Sequence, residues 1–420
     1  MKQGSSVLFF SLMLTTISGC TTATSVAATN PISQTDPRDA ELQQCLAGLR
    51  GDAMQGKISS DTWQRYTRSI AGDYSVLERL NHQPEFKTPL WDYMAGLVDD
   101  ERVDMAKQQL AENLELLTRI EQAYGVPKEI VVSVWGVESN FGRNMGRTEI
   151  VPSLATLSCF GRRQPFFRGE LFATLRILQS GDIPLERLRG SWAGAFGQTQ
   201  FMPSTFERLA VDFDGDGRRD LIDSTADALA STANFLKRGG WRTGQPWGVE
   251  ARIPAALDIS GEGRRNKRSL ADWHNRGVRS VDGRALTEAL GLPADTQAGL
   301  ISPTGKEGPV FITLRNFDAL YGYNAAESYA LALAHLADRM QGAGGFTTPW
   351  PTDDPPLSRQ QRRDLQTLLL ARGHAIGEVD GILGTLSRAA IRQEQERLGH
   401  ETTGRGGMKL LNALQADSSR

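Results

Sequence analysis

The chain has 420 residues, a formal net charge of −2 and 40% hydrophobic residues. That length exceeds what one hydrophobic core usually supports, so at least two folded units plus tails are expected. The near-neutral balance and ordinary globular composition speak against a nucleic-acid partner and against electrostatic attraction to anionic lipid.

At the start, Lys2 precedes an apolar stretch through Val7, Phe9, Phe10, Leu12 and Leu14, which ends on Ile17-Ser18-Gly19-Cys20. This order reads as an export signal, and the apolar run is too short for a span of about 20 apolar residues. The Ile-Ser-Gly-Cys ending resembles the bacterial lipobox. That resemblance implies that residues 1–20 are a lipoprotein signal peptide and that Cys20 carries the lipid that anchors the chain to a membrane. Thr21 stands where an Asp would resemble an inner-membrane retention signal, so the periplasmic face of the outer membrane is the expected location. An ordinary secretory signal is the alternative. Cys45 and Cys159 are the remaining cysteines. An oxidising periplasm permits a disulfide between them, and two buried free thiols are the other reading.

Residues 21–38 begin rich in Thr, Ser, Ala and Pro and read as a tether. Folded structure is expected from Asp39, where Leu42, Cys45, Leu46 and Leu49 recur at helical spacing, as do apolar positions over 103–124. Residues 128–138 contain Ile130, Val131, Val132, Val134, Trp135 and Val137, so the segment is apolar almost all round and predicts a buried helix. Further helices are predicted over 169–179, 225–237 and 326–340. Between 241 and 320, many Gly and Arg residues and the run Val310-Phe311-Ile312-Thr313-Leu314 point to a small sheet or long loops. Residues 342–356, with Pro349, Pro351, Pro355 and Pro356, read as a linker. The expected fold is mainly α (α+β), with a large domain over 39–341 and a small domain over 357–415.

Glu138 ends the apolar helix and precedes Ser139-Asn140-Phe141-Gly142, a breaker that would open a cleft. A carboxyl against an apolar wall has its pKa raised, which lets a Glu act as a general acid near neutral pH. Spacing alone leaves a solvated or ion-paired Glu as the ordinary alternative. A second segment, Ser191-Trp192-Ala193-Gly194-Ala195-Phe196-Gly197-Gln198-Thr199-Gln200-Phe201-Met202-Pro203-Ser204, mixes tiny residues with aromatics and amides. Small residues admit a ligand to the backbone, aromatic faces cover a pyranose, and Gln side chains both donate and accept. Close helix packing through Ala and Gly is the competing reading.

Together these segments resemble the lytic murein transglycosylase B family. Further matches are Ser153-Leu154-Ala155-Thr156-Leu157-Ser158-Cys159, Phe166-Phe167-Arg168, and Tyr323-Asn324 followed by Tyr329. The resemblance implies a lysozyme-like helical domain with Glu138 as its single catalytic glutamate. It also implies saccharide contacts at Ser191, Gln200, Phe201, Phe235, Tyr323, Asn324 and Tyr329. Some relatives place a Tyr at 235, so Phe235 keeps stacking and loses a hydroxyl. In the implied chemistry, Glu138 protonates the oxygen between N-acetylmuramic acid and N-acetylglucosamine. It then takes the proton of the sugar's 6-hydroxyl, which attacks C1 and leaves a 1,6-anhydromuramyl end. Intramolecular attack benefits from high effective molarity and needs no second carboxylate to deliver water. One rival is a hydrolytic muramidase using Asp182, Glu149 or Glu170 as that second carboxylate. The other is a non-catalytic wall-binding scaffold, indifferent to loss of Glu138.

Asp212-Phe213-Asp214-Gly215-Asp216-Gly217-Arg218 has the spacing of an EF-hand loop, with carboxylates at positions one, three and five, the turn Gly at six and a backbone carbonyl at seven. A structural calcium is expected on Asp212, Asp214, Asp216 and the Arg218 carbonyl. Asp223 would close the set at position twelve, or Asp227 from a longer loop. A solvated acidic turn is the alternative, and no cofactor is expected for catalysis. The C-terminal residues Asp380-Gly381, Gly384, Thr385, Gln395 and Thr403-Gly404 resemble the small three-helix peptidoglycan-binding domain of wall hydrolases, although Glu394 stands where an aromatic is frequent. The implied partners are peptidoglycan glycan strands, the membrane through the lipid, and cell-wall synthesis complexes. A structural helical cap is the other reading of this domain.

Overall fold

The computed structural model describes residues 36–81 and 88–418. The export signal, Cys20 and residues 21–35 of the tether lie outside the described residues. Among the described residues no helix is long and apolar enough to cross a membrane.

The helical body is built on two cores. One surrounds the Lys128–Ser139 helix with the helices Asp100–Glu112, Leu114–Tyr124, Thr225–Arg238 and Glu327–Met340. The other gathers Arg38–Gln55, Ile150–Phe160, Gln164–Ser180 and Pro203–Leu209. Phe235 and Tyr323 pack against both, so the seam between the cores runs through them.

Burial dictates the central helix. Val131, Val132 and Val134 are fully buried and Ile130 and Trp135 nearly so. Each such side chain contributes about 1.5–3 kcal/mol on leaving water, which outweighs the weak helix propensity of β-branched residues. The apolar recurrence over 103–124 is two helices rather than one. Asn113, at φ −111° and ψ 22°, ends Asp100–Glu112 and starts Leu114–Tyr124. The helix expected from 169 starts at Gln164, with Pro165 in its first turn, where the missing N–H has no helical partner to lose.

The first helix buries Leu42, Leu46, Leu49 and Ala53. Cys45 on it forms a disulfide with Cys159 at the end of Ile150–Phe160, with Cα atoms 6.1 Å apart. The region after Trp241 is a five-stranded antiparallel sheet in the order Arg268–Ser269, Gln297–Ile301, Val310–Thr313, Gly248–Arg252, Arg279–Ser280. Ile312 lies opposite both Val249 and Leu300, over a small core with Trp273 at its centre. The Val310–Thr313 strand runs through Leu314 directly into the helix Arg315–Asn324, and so delivers Tyr323 to the seam.

Residues 342–356 are pinned along the helical body. Phe346 stacks on His335 at 4.0 Å and meets Phe311 at 4.9 Å, and the Glu250 carboxylate accepts the N–H groups of Thr347 and Thr348. Beyond them, Arg359–Ala371, Thr385–Arg397 and Met408–Ser418 enclose a separate core of Leu365, Leu369, Ile391, Leu410 and Leu414. The residues that carried the resemblance here brace loops. Asp380 and the Gly381 N–H bind the buried Gln366, and Thr403 and the Gly404 N–H bind Gln395. Glu394 is held by His374 and Arg397.

The disulfide closes a sequence separation of 114 residues. A Cys45→Ser/Cys159→Ser variant is expected to lose about 3–5 kcal/mol, the loop-entropy scale for such a closure. Guanidinium unfolding of the two proteins measures this, and equal midpoints would contradict it.

Candidate active site

Three successive residues in the left-handed region stop the central helix: Asn140 at φ 51°, Phe141 at 60° and Gly142 at 78°. The helix thus ends one residue after Glu138. A left-handed cap is ordinary for Gly and costly for a ring-bearing residue, so neighbouring contacts must hold it. Phe141 is 7% exposed, lies edge-on to Trp135 at 5.6 Å, and fills the space a side chain at Gly136 would need. The fully enclosed Ser139 hydroxyl donates to the Gln198 carbonyl and accepts the Gly142 N–H at 2.8 Å. One side chain therefore fixes the turn and ties it to the Ser191–Ser204 segment.

That segment is folded by close backbone contacts. The Ser191 hydroxyl accepts the Ala195 N–H, and Phe196 bridges to Gly190 and Phe201. A Cβ on Gly190 would lie 2.1 Å from the Ala195 carbonyl oxygen, and one on Gly146 would lie 2.2 Å from the Gly190 backbone. Gln200, at φ 51°, spends its amide N–H groups on the Met145 and Gly197 carbonyls. Phe201 is 2% exposed and backs the cleft behind Phe235 and Tyr323, whose rings are 4.6 Å apart. Tyr323 stacks on Tyr329 and donates to the Thr199 carbonyl at 2.8 Å, while Asn324 is exposed at the rim.

Glu138 sits half-buried among these rings and accepts a short hydrogen bond from the Tyr329 hydroxyl. Burial pushes its carboxyl up to about 7, and the Tyr329 bond pulls part of the way back. The same burial, with the Glu138 charge, drives the Tyr323 and Tyr329 hydroxyls well above their usual range. Tyr93, on the short helix Leu90–Leu97, also lies in the field of Glu138 and is pushed to about 12, mainly by burial. Sequence reasoning missed it, because a single Tyr on a short helix carries no motif.

The three other carboxylates weighed from sequence are committed elsewhere. Asp182 forms an ion pair with Arg219 at 2.6 Å, Glu170 accepts both the N–H and the hydroxyl of Ser204, and the exposed Glu149 pairs with Arg189.

In the acidic loop, carboxylate oxygens of Asp212, Asp214 and the buried Asp227 lie within 4.8 Å of one another. Two further members of the sequence-derived set lie apart. Asp223 does not close the loop: it is ion-paired with Arg187, because Ser224 turns the chain into the Thr225–Arg238 helix and brings Asp227 inward instead. Asp216 is held by the Arg218 side chain at 3.1 Å. Ser224 both caps that helix and donates to Asp214 at 2.6 Å. Three converging hard oxygens, one of them buried, fit a calcium ion.

Fold and site together define a lysozyme-like helical domain with a half-buried glutamate in its cleft. Residues 41–338 match the family described as Transglycosylase SLT domain, and residues 358–414 match a peptidoglycan binding domain. The chain belongs to the Transglycosylase SLT domain family. It is 39% identical over 225 residues to membrane-bound lytic murein transglycosylase B of Escherichia coli (strain K12), a match covering 53% of this chain and 59% of that protein. The crystal structure of SltB3 from Pseudomonas aeruginosa in complex with NAG-anhNAM-pentapeptide is similar at a TM-score of 0.71 and 44% identity, covering 89% of this chain and 99% of that one. The Escherichia coli lytic transglycosylase Slt35 in complex with calcium is similar at 0.59 and 31%, covering 73% and 93%.

Because Glu138 rises from 4.5 to about 7 on folding, the folded state binds its proton more tightly, and stability is lost as pH climbs through that window. The full shift corresponds to about 3 kcal/mol, which solvent at the half-open cleft reduces to about 1–2. Glu138→Gln is therefore expected to be more stable than wild type by that amount at pH 8 and equal to it at pH 4, in urea unfolding at the two pH values. Tyr329→Phe should raise the Glu138 pKa further, as followed by carbon-detected NMR of the carboxyl. A fall would mean the phenol is not its donor.

Proposed function

We propose that this chain is a peptidoglycan lytic transglycosylase in which Glu138 acts first as acid and then as base. The observation that carries the reading is a single carboxyl in the aromatic seam, its pKa raised to about 7, with Asp182, Glu170 and Glu149 each bound to other partners. A carboxyl protonated near neutral pH donates to the glycosidic oxygen as positive charge builds at the muramic C1. The resulting carboxylate removes the proton of the muramic 6-hydroxyl, which closes on C1 and leaves a 1,6-anhydro end. Tyr329, hydrogen-bonded to Glu138, steadies it in both protonation states. The anhydro sugar bound by SltB3 supports this product, and the committed carboxylates weigh against the muramidase reading.

The rings of Tyr323 and Phe235 offer apolar faces to a pyranose, and Asn324 offers amide contacts at the rim. Ser191, Gln200 and Phe201 act chiefly by shaping that wall. Calcium on Asp212, Asp214 and Asp227 would fasten the loop to the helix that carries Phe235, supplying only structural charge balance. The C-terminal domain grips the glycan. Cys20 carries the lipid, and the periplasmic face of the outer membrane is the location; a membrane-bound relative supports this.

Purified sacculi digested with protein lacking residues 1–20 should release muropeptides one water lighter than reducing ones, as weighed by mass spectrometry. Glu138→Gln should lower the rate by about a thousandfold, within the range of general acid–base catalysis. Reducing ends would instead mean hydrolysis, and release unaffected by the substitution would remove Glu138 from the chemistry. Calcium at a hundredfold above its Kd should add about 2.7 kcal/mol of stability. Asp227→Asn should abolish most of that gain in thermal melts; a gain that survives would place the ion elsewhere.

A further inference from the structure

The C-terminal domain meets the catalytic body through a set of arginines, and both places they grip lead to the cleft. Arg405 holds Asp92 with two parallel hydrogen bonds, at 2.6 and 2.9 Å, while its guanidinium also binds Asp354. Asp92 is the residue next to Tyr93 on the helix Leu90–Leu97. Arg362 reaches the Ala95 carbonyl at 3.2 Å, near the end of the same short helix. Of that helix only Met94 is fully buried, while Leu90, Tyr93 and Leu97 pack half-buried against the same core.

The second grip falls on the neighbouring helix. Asp99, with 5% of its side chain exposed, caps Asp100–Glu112 and pairs with Arg359 at 3.0 Å and Arg362 at 3.5 Å. Arg363 pairs with Glu101 at 2.8 Å. One turn on, Arg102 donates to the Gly136 carbonyl, in the last turn of the helix Lys128–Ser139 that carries Glu138. That carbonyl already accepts the Asn140 N–H at 3.1 Å, so the guanidinium is a second, charged donor that complements the helix dipole.

We infer that the C-terminal domain is a positioning element of the catalytic cleft, in which Arg405 and the arginines at Asp99 hold Tyr93 and the Glu138 helix in register. This rests on the reading of Glu138 as the acid. Exposed ion pairs are worth little, but these are partly buried, fork-shaped and networked, with Arg405 and Asp92 at 20% and 19% side-chain exposure. A domain that only tethers the enzyme to the wall would need no such contacts with the two helices that frame the acid. Arg405, Asp92 and Arg362 touch no reacting atom and act through Tyr93 and Glu138.

The test uses the full chain without residues 1–20 on soluble, uncrosslinked glycan strands, with kcat and KM measured separately. Asp92→Asn breaks the Arg405–Asp92 contact and leaves the Arg405–Asp354 pair and the arginines at Asp99 intact. It is expected to lower kcat about tenfold, within the usual range of coupling between sites, with KM within about twofold. Arg405→Ala should do the same, and the double variant should be no slower than either single one. Tyr93→Ala should abolish any further effect of Asp92→Asn. Thermal melts establish that each variant folds, and Arg405→Lys, which keeps the charge and loses the fork, replaces any variant that does not. Unchanged kcat, a loss confined to KM, or losses that multiply in the double variant would each overturn the inference. Anhydro product from wild type alongside any of those results leaves the proposed function standing, whereas no product at all overturns both.

Discussion

The cleft depends on the hydroxyl of Ser139. It sits in the last turn of a helix whose core-facing side is sealed, donates to Gln198 across the seam, and accepts the N–H of Gly142 on the return. Without it, the reversal through Asn140 and Phe141 would keep only packing and the backbone bonds from Asn140 and Phe141 to the Gly136 and Trp135 carbonyls, with no tie to the facing segment. With it, the helix is cut off at the point that leaves Glu138 facing the seam between two cores instead of buried in one. The same bond fixes where the Ser191–Ser204 segment approaches, so the placement of the acid and the shape of the opposing wall are one constraint. The close approaches at Gly190 and Gly146 follow from it, since that wall is folded back on itself with no room for side chains.

The electrostatics follow from the same placement. A carboxyl at the junction of two apolar cores is destabilised as an anion, and the seam supplies hydroxyls rather than cations to compensate. Tyr329 offers one neutral donor, which relieves part of the burial cost without stabilising the anion as a guanidinium would. Arginines are abundant in the chain, yet Arg102, which reaches the end of this helix from Asp100–Glu112, is spent on the Gly136 carbonyl. The site thus keeps its proton to about neutral pH and yields it without a large penalty, the condition for one group to serve as acid and then base. Stability is surrendered locally for this, in the left-handed cap and in the buried carboxyl, and the flanking cores and the disulfide between the Arg38–Gln55 and Ile150–Phe160 helices offset it.

Much of this was legible in the chain. The central helix announced itself because it is apolar almost all round, matching burial along seven successive positions from Ile130 to Gly136, and the breaker after Glu138 because Asn, Phe and Gly in a row cannot extend it. The sheet around Val310 was visible only as a run, since its partner strands are short and rich in Arg and Gly. Three features were not legible, each for a physical reason. Tyr93 comes into the field of Glu138 only through tertiary packing, so no local pattern marks it. Asp223 and Asp227 are equally good carboxylates on paper; the Ser224 cap decides between them by turning the chain. Gln395 carried the resemblance to a peptidoglycan-binding domain, and it proves to be a buried brace, as does Gln366, which no motif marked, because a fixed loop and a fixed ligand leave the same residue types behind.

The Gly- and Pro-rich stretch before the C-terminal domain shows where composition misleads most. Such a segment has little helical or strand preference and reads as slack, yet lack of regular structure is not lack of contacts. Phe346 and Trp350 supply apolar anchors, Glu250 binds successive backbone N–H groups, and Asp354 receives Arg405. Proline shortens the list of conformations available to the unfolded stretch, so less entropy is lost when those anchors engage. A strap of this kind sets the C-terminal domain against the Leu90–Leu97 helix at a defined angle, which a flexible tether could not do. The strap's anchors and the arginine contacts bear on the same face of the catalytic body, so individually weak charges share one contact with the Leu90–Leu97 helix and its neighbour.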